Sequence, residues 1–541
     1  MTSNLLSLKK RLDSMSPTKR NPIYNSHMYW SQKAYNIADA LITELTNEGD
    51  FIFDPFMGSG VTIIEAVSDK AKRNAIGVDI NDVPIFITKT VLKQRDSAQT
   101  VKIIDQFVKE CIKECRHYYV FNADKNALET TYVLFDIKNG KYKIKEIRAV
   151  DAKGKKLVIR QPDEMYVKSM FFKYKPVNIK DKELIENSKI AVKKHQKLSS
   201  IFTPRNFAVI DKIIGVLNKE CFSDYYDILK YIILSMIHLC KITDTHSMSQ
   251  WPLWIPKNNC VEKNVIKILE RRAKLTQEAV KYVGKNYKKA TDITDVKKAK
   301  GNSNYKLIKK PIQNITVSDI PDKSVDLIIT DPPYLGQVVY SEYMQLYESF
   351  LGFKINYKDE IVVSSSPERE KDVEDYFSLI SDGFRICSRK LKDSKHMCMY
   401  FHDCNLKVWD RLISILSAND LRFLSIMHID KTSTLKNIIS PKKSLNGDAL
   451  LFFVKDKIVS SVNKGNESIE IIVHSVIKEA RHMIETNGGK MTTPELYDNG
   501  LMEIIIHNGW LNKLSKEFDS LVDIFERHFI WNEKGSFWSL E

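Results

Sequence analysis

The chain has 541 residues, more than one hydrophobic core usually serves, and its 43% hydrophobic and 28% charged residues make a globular composition. No apolar run approaches the roughly 18 uninterrupted residues that span a bilayer, and the polar N-terminus lacks a signal-peptide core, so the expected setting is cytoplasmic, with no membrane partner. The eight cysteines are scattered with no C-x-x-C pair, which points to free thiols; no metal is expected.

The net charge of +15 is unevenly placed: residues 1–92 are balanced, residues 93–305 carry a net of +19 and residues 306–541 a net of −4. A middle third this basic suits a segment that follows a phosphate backbone.

In chain order, residues 1–25 read as a flexible lead-in. Apolar spacing from Tyr29 to Leu45 predicts a helix, broken at Asn47-Glu48-Gly49. FIFDPF then reads as a buried strand running into a glycine turn, Val61 onward as a helix, and NAIGVDIN from Asn74 as a second strand ending in an acid. This is the first half of a dinucleotide-type fold. From Lys93 to Tyr305 come a helix over 101–115, a β region with an Asn139-Gly140 hairpin signal, and a buried helix from Asp224. The α/β pattern resumes with strands expected at NITVSDI (from Asn314) and VDLIITDPPY (from Val325), then a helix over 342–350. Later strands are expected from His396, Leu421 and Ala449, with a long basic connection from Lys431 and a helical tail whose capping box lies at Thr492–Glu495.

Two peptides carry the chemistry. In DPFMGSG, Gly58 and Gly60 let the backbone turn tightly and approach a ligand without a Cβ in the way. Asp54 replaces an open phosphate cradle with an acid, so a ligand with a cationic amine and no phosphate fits, and S-adenosylmethionine has that amine. Asp79, at the next strand end, can accept hydrogen bonds from ribose hydroxyls; Ile80 can pack on an adenine face, and Asp319 is expected to accept from the adenine amino group. Phe56 completes this cofactor set.

In DPPY, Asp331 and the Pro332 carbonyl can accept both N–H bonds of an aromatic amine, whose lone pair is otherwise delocalised into its ring. Pro332 and Pro333 hold those acceptors without reorganisation, and Tyr334 offers a face for a base flipped out of a duplex. The chain has neither the Pro-Cys nucleophile of cytosine-C5 chemistry nor a Walker A loop.

DPFMGSG and DPPY, with GVDIN between them, resemble the amino-group DNA methyltransferases that make N6-methyladenine or N4-methylcytosine. The resemblance covers roughly residues 25–92 and 310–456. It implies an α/β, Rossmann-like seven-stranded methyltransferase sheet over 26–92 and 306–456, a large basic α+β insertion at 93–305 that recognises the target, and a helical C-terminal extension over 457–541. It also implies S-adenosylmethionine as cofactor, double-stranded DNA as partner, and a restriction-modification or defence-system partner protein. HMYWSQKA from His27 resembles the segment that closes over the cofactor carboxylate, with Lys33 and Thr62 as candidates for that contact. An acid at the first position of DPPY favours adenine-N6 over cytosine-N4. The rivals are a guanine-N2 methyltransferase of tRNA and a non-catalytic DNA-binding protein on the same scaffold.

Overall fold

Short apolar runs set the frame of the molecule. In the computed structural model they become eight strands: Phe51–Asp54 (β1), Asn74–Asp79 (β2), Thr291–Asp292 (β3), Asn304–Lys309 (β4), Val325–Thr330 (β5), Leu391–Phe401 (β6), Leu421–Ile429 (β7) and Asp448–Lys455 (β8). The structure describes all residues except 1–2, 124–125, 139–140, 161, 163–165, 167, 169, 246–252, 257, 336–337, 367–368, 402, 430–441, 443–446, 457–466 and 541. The Asn139-Gly140 turn, Trp251 and most of the connection from Lys431 lie outside the described residues.

The eight strands form one sheet in the order β7-β8-β6-β5-β1-β2-β4-β3. β1 to β6 pair in parallel, while β8 runs antiparallel between β6 and β7. This is the Rossmann-like seven-stranded pattern with the two-residue β3 added at one edge. The strand order reverses between β1 and β5, so the carboxyl ends of β1, β2 and β5 open onto a shared crevice, the usual ligand position in such sheets.

Side chains alternate across the strands and divide the interior in two. Ile52, Ala75, Leu327 and Phe452 face one core. Phe53, Ile76, Ile328 and Phe453 face the other.

The first core also contains residues of the helical half of the insertion. Phe107 and Cys111 of helix Ser97–Cys115, Ile210 of Pro204–Leu217, Ile232 of Tyr226–Ile237 and Leu269 of Val265–Asn286 are all buried there. Residues 93–305 are therefore not a separate lobe: their helices cover one face of the large sheet. The β half stands apart, with strands Val120–Ala123, Asn126–Lys138, Lys141–Asp151, Lys156–Arg160 and Cys260–Lys263 forming an antiparallel sheet over its own small core.

The lead-in is also structured. Residues Ser3–Asp13 form a helix whose Leu5, Leu8 and Leu12 are buried against the first core, and Arg11 ties it to Asp39 and Glu44. An apolar stripe at i, i+3 and i+7 is enough to dock a helix that its polar composition disguises. At the other end, helix Ile469–Thr486 packs in the second core, with the expected capping box at Thr492 and Glu495. Strands Lys490–Met491, Ile530–Asn532 and Phe537–Ser539 make a small sheet in this otherwise helical extension.

Candidate active site

β1 delivers Asp54 to the edge of the crevice and hands over to the glycine turn. Gly58 (φ +47°) and Gly60 (φ +78°) both take left-handed backbone, which side chains other than glycine's rarely adopt. Space imposes the same choice: a Cβ on Gly60 would lie 2.1 Å from Thr88 Oγ1, and one on Gly58 would lie 3.0 Å from the Tyr29 ring. Gly60 then caps helix Val61–Ala66.

The turn is locked by the two acids. The Phe56 N–H donates to Asp54 Oδ1 (3.2 Å), and the Gly58 N–H crosses to Asp79 Oδ2 at the end of β2 (3.2 Å). Asp79 Oδ1 also accepts the Asn81 N–H (3.0 Å). Burial pushes each carboxyl up to about 7, against the opposing hydrogen bonds from Thr62 and Phe56 at Asp54 and from Asn81 and Gly58 at Asp79.

β5 delivers DPPY. Tyr334 donates its hydroxyl to Asp331 Oδ1, and Tyr376 donates its own to the Pro333 carbonyl (2.7 Å), which fixes the turn from a second side. Lys33 Nζ lies 3.0 Å from Asp331 Oδ1 and 3.1 Å from Asp448 Oδ2. Burial raises the Asp331 carboxyl and Lys33 opposes the rise; at Lys33, burial acts downward and the two carboxylates outweigh it, so the ammonium is held above its ordinary value.

A crevice joins these parts, walled by residues 29–33, 54–59, 79–81, 310–313, 329–331 and 359–361, with Thr62, Pro333, Tyr340 and Tyr400. Of the residues singled out from sequence, Lys33, Asp54, Phe56, Gly58, Thr62, Asp79, Ile80, Asp331 and Pro333 line it. Pro332, Tyr334 and Gly60 adjoin residues that line it in the same two motifs. The stretch from Tyr29 to Lys33 lines the crevice, with Tyr29 stacked on Tyr340 at 6.0 Å between ring centroids.

Asp319 is the correction. The strand following β2 in the sheet is Asn304–Lys309, not NITVSDI, so the residues at that strand end are Lys310 to Gln313. Asn314 to Asp319 instead form a turn, in which Asp319 accepts the Thr316 N–H (3.0 Å) and pairs with Lys310 (2.6 Å). It does not line the crevice. Conversely, sequence reasoning missed Asp448, Tyr400 and Tyr376. Asp448 gave no signal because it starts a strand 415 positions from the lysine it binds.

The N6/N4 DNA methylase family matches residues 7–90 and 325–521, just over half of the chain. The chain belongs to this family. The two family blocks lie on either side of the basic insertion, and the second block runs past β8 into the C-terminal extension. The Type II methyltransferase M.MjaII of Methanocaldococcus jannaschii is 23% identical over 358 residues, covering 62% of this chain and 64% of that relative. M.BamHI of Bacillus amyloliquefaciens is 32% identical over 77 residues, covering 14% of this chain and 18% of that one. The chain thus spans less than two thirds of the length of the curated relatives it matches. Among solved structures, a putative DNA modification methylase from Thermus thermophilus is similar over 33% of this chain and 72% of its own, at 11% identity and a TM-score of 0.16.

Proposed function

We propose that this methylase moves the methyl group of S-adenosylmethionine to the N6 amino group of adenine in double-stranded DNA, acting in the cytoplasm on a base flipped out of the helix. The observation that carries the reading is the convergence of Asp331, at the end of β5, with Asp54 and Asp79, at the ends of β1 and β2, around one crevice.

The walls suit the cofactor. Asp54 is a buried acid positioned for an ammonium, Asp79 is an acceptor for ribose hydroxyls, and Gly58 leaves open the space its Cβ would take. S-adenosylmethionine supplies an electrophilic methyl group on a sulfonium. The chain's own residues do the rest: Asp331 and the Pro332 carbonyl accept the two N–H bonds and direct the amine's lone pair, the Tyr376 bond to Pro333 keeps those acceptors still, and Tyr334 offers its ring to the base. An acid at the first position of the motif favours adenine over cytosine. The outward face of the insertion sheet carries exposed Lys156 and Arg160, suited to phosphate contacts.

The test is transfer of label from tritiated S-adenosylmethionine to unmethylated genomic DNA and to total RNA, read by nucleoside mass spectrometry with Asp331→Ala as control. N6-methyladenine in DNA that disappears in the control supports the reading. N4-methylcytosine changes the target base, and label in RNA alone overturns the DNA assignment.

A further inference from the structure

Lys33 stands where a target amine would be expected. Its Nζ is at hydrogen-bond distance from Asp331 Oδ1 (3.0 Å) and lies 5.7 Å from the centroid of the Tyr334 ring. Those are the acceptor and the aromatic face that the proposed mechanism reserves for the exocyclic nitrogen and its base. The lysine is not a surface residue that happens to reach in: its side chain is 12% exposed, with the Tyr400 ring 4.8 Å away on another side. Its second anchor, Asp448 Oδ2 at 3.1 Å, belongs to β8, and the Asp448 side chain is 4% exposed.

We propose that Lys33 is a tethered stand-in for the target amine, and that Asp448 is the positioning residue that receives its ammonium when a base enters. The inference rests on the methyl-transfer reading above and names the step before it. A buried ammonium cannot be left without an anion, because desolvation of an unpaired charge costs several kcal/mol. A base that takes over Asp331 therefore needs somewhere for the lysine to go, and Asp448 already holds half of its coordination. Placed between them, Lys33 also lets two carboxylates, Asp331 and Asp448, face one small volume without mutual repulsion. The occupant acts as an intramolecular competitor: the apparent affinity for the target is reduced by the fraction of molecules in which Asp331 is free, while the chemical step after entry is untouched.

The test uses the full-length chain and a duplex containing its mapped methylation site, or whichever nucleic acid takes the label. KM for that substrate and kcat are compared for the unaltered protein, for Asp448→Asn, and for Lys33→Met combined with Asp448→Asn. Asp448→Asn removes the alternative anchor and is expected to raise KM about tenfold, the order of one charge-assisted hydrogen bond, with kcat within about twofold. The double variant keeps the net charge of the trio and removes the occupant, so KM is expected at or below that of the unaltered protein. A 2-aminopurine probe at the target position, with S-adenosylhomocysteine bound, reads base entry without chemistry and is expected to follow the same order. Melting temperatures and S-adenosylhomocysteine affinity for Asp448→Asn establish that it folds. A fall in kcat with KM unchanged, or a double variant that behaves like Asp448→Asn, overturns the proposal. Absence of label from the unaltered protein on every nucleic acid overturns the functional reading, and this inference with it.

Discussion

Lys310 Nζ binds both carboxylate oxygens of Asp319, at 2.6 and 2.8 Å, and so turns that acid toward its own loop and away from the crevice. Asp319→Asn is therefore expected to change S-adenosylhomocysteine affinity by no more than about twofold, as for other partly exposed ion pairs, while Asp79→Ala loses about tenfold or more. Calorimetric titration of the two variants side by side checks the contrast.

Gly60→Ala is expected to destabilise the protein by about 1–3 kcal/mol, because the new Cβ meets Thr88 and the left-handed backbone strains any side chain. Thermal unfolding measures it. Adding Thr88→Ala is expected to recover the steric part and leave the backbone part.

Ligand-free stability and cofactor affinity are expected to respond to pH in opposite directions. Asp54 and Asp79 are raised from 3.8 to about 7 in the folded chain, so their contribution to stability is present at low pH and is lost as pH rises through 7. Cofactor binding needs Asp54 ionised to hold an ammonium, so affinity falls by up to about tenfold per unit below pH 7. Melts without ligand at pH 5 and 8, and titrations across the same range, test both signs.

Asp331→Asn is expected to lower kcat by about 10²-fold or more, the scale of losing one preorganised charge partner in the transition state. S-adenosylhomocysteine affinity should change little by comparison. Single-turnover kinetics separate the two.

Lys156→Ala and Arg160→Ala are expected to weaken DNA binding about equally for all sequences, each reducing the slope of log affinity against log salt by about 1. Fluorescence anisotropy at several salt concentrations measures the slope.

The site was legible where local chemistry is dense. FIFDPFMGSG and VDLIITDPPY each combine a buried strand with a turn that admits few residues, and the structure places both at the same crevice. Legibility failed where a fold uses residues against their local appearance. NITVSDI has β-branched residues and looks like a strand, yet Ile315 and Ile320 reach the core from a turn, while the plainer NYKLIK pairs with β2. The insertion's charge hid the buried stripes of its helices, which share one core with the large sheet they cover. Asp448 belongs to no motif, and only the assembled sheet brings it to Lys33.

The chain leading into the crevice wall at residues 29–33 is held from outside the family-matched blocks. Tyr231, on an insertion helix, shares hydrogen bonds with Ser26 (2.6 Å) and with His27 Nδ1 (2.8 Å), and Tyr282 on another helix accepts from Asn21 (3.2 Å). This segment is thus tied to the part of the chain that carries the excess positive charge. If nucleic acid docks on those helices, a shift it imposes on them has a route toward Tyr29 and Lys33 through these hydrogen bonds. Thermodynamic reciprocity then fixes the bookkeeping: by whatever factor nucleic acid changes the retention of cofactor, cofactor changes the grip on nucleic acid by the same factor.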